Sequence, residues 1–257
     1  MSDAVSRETQ PPDGALTPPA PLSTPETARG VFASDRLALV ERYAELLATE
    51  GVVRGLIGPR EAPRLWDRHL LNSAVLAELV TEGATVCDIG TGAGLPGVVL
   101  AIARPDLTIT LVEPLLRRTT FLSEVVDELG LAGVDVVRGR AEDLHGSVTY
   151  DVVTSRAVAP LTRLLGWSMP LVSPHGSLVA MKGQSVIEEI TEAQHFLHSW
   201  RCGVPEVLEL GMGVVDPPTT VVRVAWADPT QVGWPLASVA RRRTSRHARR
   251  DGESRGA

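Results

Sequence analysis

The spacing of hydrophobic residues changes along the chain near residue 83. Before that point, apolar residues recur at helical spacing in two stretches, from about residue 34 to 47 and from about residue 63 to 80. After it, short apolar runs alternate with amphipathic stretches of 8 to 15 residues. This pattern predicts an N-terminal helical cap followed by a domain in which strands and helices alternate.

Five short apolar runs are predicted to be strands, and a helix is predicted after each of the first, second, fourth and fifth. The predicted strands cover residues 85–89, 108–113, 134–138, 151–155 and 176–181, and the predicted helices cover residues 96–103, 116–129, 160–169 and 186–200. Two final strands, 206–210 and 219–226, are joined by a Gly/Pro-rich connection without a helix, which predicts an antiparallel hairpin. The predicted fold is α/β: a doubly wound, Rossmann-like sheet with a C-terminal antiparallel hairpin and N-terminal helices.

The two ends of the chain differ in composition from the middle. Residues 1–33 are rich in Pro, Thr, Ser and Ala and are predicted to be a disordered tail, before a cap at 34–82 and a main domain at 83–228. The last part, 229–257, is predicted to be a disordered basic tail. It has seven arginines against two acidic residues after residue 236, although the whole chain carries a net charge of −6. Such a tail can neutralise nucleic-acid phosphates or simply favour solubility, and the sequence leaves both open.

Bulk properties exclude several classes of protein. No apolar run is long enough to cross a bilayer, and the N-terminus lacks the charged-then-apolar pattern of a signal peptide. Cys87 and Cys202 are the only cysteines, too few for a disulfide framework or a zinc site. We therefore expect a cytoplasmic protein that has no metal and no membrane partner, and we expect a monomer.

The most informative segment follows the first predicted strand and reads Asp-Ile-Gly-Thr-Gly-Ala-Gly-Leu-Pro-Gly from Asp88 to Gly97. In doubly wound sheets ligands bind beyond the carboxyl ends of the strands, and glycines let a ligand approach the backbone. Residues 92–97 also fit the G-x-G-x-x-G pattern of NAD sites. However, Asp88 would repel a pyrophosphate, whereas S-adenosylmethionine has no phosphate and carries two cationic groups. We therefore favour S-adenosylmethionine as the cofactor, with an NAD-dependent oxidoreductase as the alternative.

Residues at the ends of the second, third and fourth predicted strands also fit a cofactor site. Glu113 can accept hydrogen bonds from both ribose hydroxyls, although NAD sites use a carboxylate in the same way. After the third strand, Ala141 and Glu142 begin an Ala-Glu-Asp run that can hold the edge of an adenine ring. Arg156, at the end of the fourth strand, places a cation beside the cofactor loop. Together these elements predict a cofactor site made by several strand ends.

The methyl acceptor is narrowed by what the strand ends lack. The run Asp216-Pro217-Pro218 resembles part of the motif of adenine and cytosine N-methyltransferases, but it falls in the late hairpin and has no aromatic residue after it. Neither cysteine stands where a C5 methyltransferase needs its nucleophile. The cations Arg156 and Lys182, the only lysine, follow the fourth and fifth strands. A site without a nucleophile or base suits an acceptor with a free lone pair, such as guanine N7, so no catalytic residue is predicted.

These residues resemble a known family, the bacterial glucose-inhibited division protein B family of guanine-N7 methyltransferases that act on small-subunit ribosomal RNA. The resemblance runs from about residue 65 to 226 and is carried by the motifs at 68–73, 88–97, 104–105, 117–122, 140–142, 155–157 and 182–184. It implies a class I methyltransferase fold, 16S ribosomal RNA or the 30S subunit as partner, and contact of Gly90, Leu95, Ala141, Glu142 and Arg156 with S-adenosylmethionine.

The chain departs from the family pattern at residues 51–58, where members usually carry Trp-Asn and Asn-Leu-Thr segments. The cap is therefore expected to fold or to contact RNA differently. His69, on the apolar face of the second helical stretch, is interpreted as a half-buried histidine with its hydrogen bonds satisfied. Methylation of a protein or a small molecule, and RNA binding without catalysis, remain alternatives to ribosomal RNA methylation.

Overall fold

A seven-stranded sheet organises the computed structural model, which describes residues 23–156 and 158–233. Its strands are β1 (Thr85–Ile89), β2 (Thr108–Glu113), β3 (Val134–Arg138), β4 (Tyr150–Arg156), β5 (Val172–Met181), β6 (Glu206–Leu210) and β7 (Thr219–Ala225). They lie in the order β3-β2-β1-β4-β5-β7-β6, with β1 to β5 parallel and β7 antiparallel to both of its neighbours. The predicted doubly wound sheet with an antiparallel hairpin is confirmed.

The helices cover both faces of this sheet. They are α1 (Ala28–Val31), α2 (Leu37–Leu46), α3 (Leu71–Ala74), α4 (Gly97–Ala103), α5 (Leu116–Glu128), α6 (Ala141–Leu144), α7 (Leu161–Ser168) and α8 (Val186–Ser199). One core joins the N-terminal cap, α4 and α5 to one face, and a second core joins α7 and α8 to the other. Because both faces are covered, β1 and β2 are buried along almost their whole length.

The N-terminal cap differs from its predicted form in two ways. Ala28 and Phe32 are buried in the first core, so the packed chain begins before residue 34, where the disordered tail was predicted to end. Residues 1–22 of that predicted tail lie outside the described residues. The second helical stretch is not one α-helix: a 3-10 turn (Ala62–Arg64), a π-helical segment (Trp66–Leu70), α3 and a second 3-10 turn (Val75–Leu79) follow one another.

At the other end, a 3-10 turn at Pro229–Gln231 follows the sheet, and the Asp228 carboxylate accepts a hydrogen bond from the Thr230 N–H that starts it. The predicted disordered tail therefore begins with an ordered turn, and the arginine-rich part of that tail lies outside the described residues. Across residues 23–156 and 158–233, no helix combines the length and the apolar character needed to span a membrane.

Candidate active site

A pocket of about 820 Å³ opens at the carboxyl ends of β1 to β4, and we call it the first pocket. All six residues predicted to bind the cofactor line it: Gly90, Leu95, Glu113, Ala141, Glu142 and Arg156. They come from the segments that end or directly follow four strands, around the point where the strand order reverses between β1 and β4. The structure therefore brings the predicted residues together, and their contact with S-adenosylmethionine stays a prediction.

The four glycines of the loop after β1 have two different reasons to be glycine. A Cβ on Gly94 would lie 2.5 Å from Val98 Cγ2 and 2.7 Å from Tyr43 Oη, and one on Gly97 would lie 2.3 Å from Leu111 Cδ2. These two glycines are required by packing beneath the loop. Gly90 and Gly92, in contrast, line the pocket with φ values of 66° and 63°. Their missing side chains leave the backbone open to a ligand.

Asp88 has a different role from the one that the sequence indicated. Its carboxylate is completely buried beneath the loop, where Oδ2 accepts hydrogen bonds from Thr91 Oγ1 at 2.5 Å and from the Gly97 N–H at 2.8 Å. It therefore fixes the shape of the loop and is not a direct partner for a cationic cofactor. Burial raises the pKa of Asp88 to about 7. Its second oxygen, Oδ1, has no hydrogen-bond partner among the described residues.

Glu113 closes the other side of the loop. Its Oε1 accepts a hydrogen bond from the Leu115 N–H at 3.0 Å, while Oε2 accepts from the Gly92 N–H at 3.2 Å and from Arg118 at 3.3 Å. A carboxylate oxygen can accept about two hydrogen bonds, so Oε1 can accept one more. The side chain is almost fully buried yet lines the pocket. Its fixed orientation and spare acceptor fit a ribose hydroxyl.

The Ala-Glu-Asp run after β3 divides its two carboxylates between structure and pocket. Asp143 turns back and accepts a hydrogen bond from the Arg140 N–H at 2.9 Å, which starts the short helix α6. Glu142 is the carboxylate that lines the first pocket, next to Ala141. Glu142 is therefore the carboxylate that is available to accept a hydrogen bond from the amino group of an adenine ring.

Arg156 lies at the boundary between the sheet and the cap. Its Nη2 donates a hydrogen bond to His69 Nδ1, and His69 Nε2 lies 2.9 Å from Glu61 Oε2. Because the guanidinium is always a donor, Nδ1 must be the unprotonated nitrogen and Nε2 carries the proton that is donated to Glu61. Burial and the Arg156 charge lower the pKa of His69. The interpretation that the hydrogen bonds of His69 are satisfied is confirmed, although the side chain is buried and not half-buried.

A second pocket, of about 1170 Å³, adjoins the first, and four residues line both: Glu61, His69, Arg156 and Val158. Its other walls are formed by the cap, by residues 181–184 after β5 and by residues 214–220 before and in β7. Lys182 lines it but is largely buried, and its Nζ donates hydrogen bonds to Ala159 O at 2.9 Å and Glu189 Oε2 at 2.7 Å. The charge of Lys182 is therefore compensated within the protein.

The contribution of Tyr43 was not predicted from the sequence. This residue of α2 is completely buried, and its hydroxyl donates a hydrogen bond to the Ala93 carbonyl at 2.7 Å. It therefore holds the glycine loop from the side of the cap, fifty residues away in sequence. In the sequence it is one more apolar-face residue of an amphipathic helix, so no local signal could have identified it.

The first pocket fits S-adenosylmethionine in its volume and in the hydrogen-bond acceptors that line it. Gly90 and Gly92 leave room against the loop, Glu113 offers a free acceptor position, and Glu142 adds a second carboxylate after β3. Asp88 adds negative charge beneath the loop when it is ionised. In the described part of the chain, no three His, Cys, Asp or Glu side chains are grouped so that they could hold a metal ion. The absence of a metal stays a prediction.

Comparison with known proteins assigns the family. The family model of GidB, rRNA small subunit methyltransferase G, matches residues 36–208. A protein of Nocardioides sp. named ribosomal RNA small subunit methyltransferase G is 63% identical over 256 residues, which cover 100% of this chain and 97% of that protein. One of the same name from Streptomyces coelicolor is 54% identical over 242 residues, 93% of this chain and 99% of that protein.

A solved structure of a putative O-methyltransferase from Klebsiella pneumoniae is similar with a TM-score of 0.49 and 16% identity, over 72% of this chain and 90% of that chain. The assignment rests on the sequence relatives and on the family model, which cover most of the described residues. The chain belongs to the GidB family of rRNA small subunit methyltransferases G.

Proposed function

We propose that the protein transfers a methyl group from S-adenosylmethionine to N7 of a guanine in 16S ribosomal RNA. The observation that carries the proposal is the pair of adjoining pockets, which share a wall that contains Arg156 and His69, in a chain of this family. A methyl transfer needs a donor site and an acceptor site in contact, and this arrangement supplies both.

S-adenosylmethionine supplies a methyl carbon bound to a cationic sulfur. In the proposed reaction the N7 lone pair forms the new bond to that carbon, and the carbon–sulfur bonding pair leaves with the sulfur. The positive charge passes to the guanine ring, and no proton has to move. The protein's task is therefore alignment of the two reactants and exclusion of water, which agrees with a site that lacks a nucleophile or general base.

We assign the cofactor contacts residue by residue. Glu113 Oε1 accepts a hydrogen bond from a ribose hydroxyl, because Oε1 keeps a free acceptor position. Glu142 and the Ala141 backbone hold the adenine edge, and Gly90 and Leu95 form the floor on which the methionine part lies. Arg156 stands at the shared wall, where the methyl carbon must pass from one pocket to the other. These roles agree with the exposure and the partners of each side chain.

Methyl transfer from labelled S-adenosylmethionine tests the proposal directly. Acceptors would be 30S subunits and naked 16S RNA that lack the modification, with total protein as a third arm. We expect label in ribosomal RNA, and chemical cleavage at N7-methylguanine should then map it to one position. Label only in protein, or at a base other than guanine, would contradict the proposal.

The setting of the reaction follows from this function. We propose that the protein acts in the cytoplasm, where bacterial ribosomal subunits are assembled, and that it acts as a monomer without a metal. The chemistry supports the last point, because an uncharged N7 lone pair needs no Lewis acid to generate the nucleophile. Sedimentation velocity and activity in the presence of a chelator would test the oligomeric state and the metal requirement.

A further inference from the structure

The second pocket has the properties of a site for an unstacked purine. A target base inside a folded RNA must leave its stack to reach a methyl donor, and the pocket that receives it needs apolar surface for the ring faces and polar groups for the ring edge. Pro160, Pro217, Pro218 and Val158 supply the apolar surface. The shared wall at Arg156 places it directly beside the first pocket.

The chemistry of N7 methylation determines which edge of the guanine faces which wall. N7 and O6 lie on one edge, and the N1–H and the exocyclic amine lie on the opposite side. N7 must face the shared wall and remain free of hydrogen bonds, because its lone pair forms the new bond. The two donor groups on the far side are therefore free for recognition and distinguish guanine from adenine, and these donors require an acceptor.

The acceptors in the second pocket can be compared one by one. Glu61 is already bound to His69 and Arg68, and Glu189 is bound to Lys182. Asp67 is exposed, but two arginines, Arg64 and Arg68, lie within three residues of it in sequence and line the same pocket. The remaining carboxylate is that of Asp216.

Asp216 lies on the connection between β6 and β7. It is exposed, lines the second pocket, and makes no hydrogen bond or ion pair within the described residues. No basic residue occurs between residues 211 and 220. The segment is attached to the cap by a hydrogen bond from Thr219 Oγ1 to Asn72 Oδ1 at 2.7 Å, which holds the Asp216 side of the pocket in a fixed relation to the cap.

We propose that the second pocket receives the acceptor guanine and that the Asp216 carboxylate accepts hydrogen bonds from its N1–H and exocyclic amine. Positive charge that develops on the ring makes both donors stronger, so this contact is tighter in the transition state than in the ground state. Asp216 therefore selects guanine and also raises the rate of its methylation. This inference rests on the proposed function, because it names the residue that binds the proposed substrate.

The test compares guanosine with inosine, which keeps N7, O6 and N1–H but lacks the exocyclic amine. Ligated 16S RNA that carries either nucleotide at the mapped position would be reconstituted into 30S subunits. For the wild-type protein we expect kcat/KM about tenfold lower with inosine. Asp216→Ala should lower kcat/KM for guanosine by about tenfold or more and bring the guanosine-to-inosine ratio close to one.

Two matched variants keep the test specific. Asp67→Asn removes the other exposed carboxylate of the pocket, and Glu209→Gln removes an exposed carboxylate on β6 that does not line it. Both variants should retain the wild-type guanosine-to-inosine ratio of kcat/KM. Calorimetric titration with S-adenosylhomocysteine should give the same Kd for Asp216→Ala as for the wild type, which shows that the variant is folded and that its first pocket is intact.

Binding provides a readout that does not depend on turnover. In the presence of S-adenosylhomocysteine, wild-type protein should bind guanosine-containing subunits more tightly than inosine-containing ones, and Asp216→Ala should bind them equally. The inference would be overturned if Asp216→Ala left the guanosine-to-inosine ratio unchanged, or if Asp67→Asn abolished the preference for guanosine instead. If wild-type protein methylates no ribosomal RNA at all, the proposed function fails first, so the two failures are distinguishable.

Discussion

The first pocket is built mainly from loops that directly follow neighbouring strands, with part of the cap at its side. The second is closed by segments from opposite ends of the described chain. In the first, backbone geometry dominates: Gly94 and Gly97 are fixed by packing, and Asp88 holds the loop from below. In the second, long-range contacts such as Asn72 to Thr219 bring the walls together. Substitutions in the first pocket should therefore affect folding and cofactor binding together, while those in the second should affect only the acceptor.

The largest effect is expected for Gly94→Ala. Gly94 has φ of 102°, which side chains rarely adopt, and its Cβ would overlap Val98 and the Tyr43 hydroxyl. Backbone strain and overpacking each cost about 1 to 3 kcal/mol, so the free energy of unfolding should fall by about 4 kcal/mol. Urea denaturation would measure this, and affinity for S-adenosylhomocysteine should be lost as well.

Gly183→Ala is the matched change in the second pocket. A Cβ at Gly183 meets no atom within 4 Å, although this glycine lines the pocket. Stability should change by less than about 0.5 kcal/mol, as for most surface substitutions, and cofactor binding should be unchanged. If Gly183→Ala loses as much stability and cofactor affinity as Gly94→Ala, the distinction between a packed cofactor loop and an open acceptor wall is wrong.

Asp88 should make stability depend on pH. In the folded protein its pKa is raised to about 7 from an ordinary 3.8, so between these values the folded state holds a proton that the unfolded state has lost. Its contribution to stability is thus full at low pH and disappears as pH rises to about 7. In ligand-free protein, the stability of wild type relative to Asp88→Asn should fall by about 2 to 3 kcal/mol between pH 5 and pH 8.

Asp106→Asn is the control for this effect. The Arg104 guanidinium and the Gly83 N–H hold the pKa of Asp106 well below its ordinary value, so the side chain stays ionised in the folded and the unfolded protein above pH 5. The stability difference between wild type and this variant should be flat from pH 5 to pH 8. A flat difference for Asp88→Asn as well would mean that its carboxylate is ionised in the folded protein.

Sequence patterns were sufficient for most strands of this fold because they are short and bounded by turn residues, but β5 begins at Val172, four residues before its predicted start. The predicted limits of β1, β2, β3 and β6 agree with the structure, and β4 ends one residue later than predicted, at Arg156. The cap was less predictable: its second stretch changes between 3-10, π and α geometry, and apolar spacing does not distinguish these. The role of Asp88 was also misjudged, since only three-dimensional packing shows that its carboxylate lies beneath the loop.

Glu113→Gln tests the cofactor wall without disturbing the packing of the loop. The amide group would place N–H donors against either the Leu115 N–H or the Gly92 N–H, and it would remove the charge that faces the ribose. Hydrogen bonds to charged groups contribute about 1.5 to 3 kcal/mol, so the Kd for S-adenosylhomocysteine should rise by about tenfold or more. Glu142→Gln, which keeps an acceptor oxygen, should raise it less. An unchanged Kd for Glu113→Gln would exclude Glu113 from ribose binding.

His69 belongs to the wall that the two pockets share, and its variants should give the smallest effect. His69→Leu removes the acceptor for Arg156 and the donor for Glu61, whereas the Asn side chain can still accept from Arg156. We expect kcat to fall about threefold to tenfold for Leu, with most of it restored by Asn. This is less than the about 1.5 to 3 kcal/mol of a complete hydrogen bond to a charged group, because His69 acts on the reaction only through Arg156. The Kd for S-adenosylhomocysteine should change less than kcat.

The pH profile separates this positioning role from a purely structural one. Protonation of His69 would place an N–H against the Arg156 guanidinium, so wild-type activity should decline at acidic pH. Burial and Arg156 lower the pKa of His69, and the decline should therefore lie below its ordinary value of 6.5. His69→Asn has no group that titrates there and should lose that limb of the profile. If the acidic limb is the same in His69→Asn and wild type, another group causes it, and the protonation state of His69 does not control the position of Arg156.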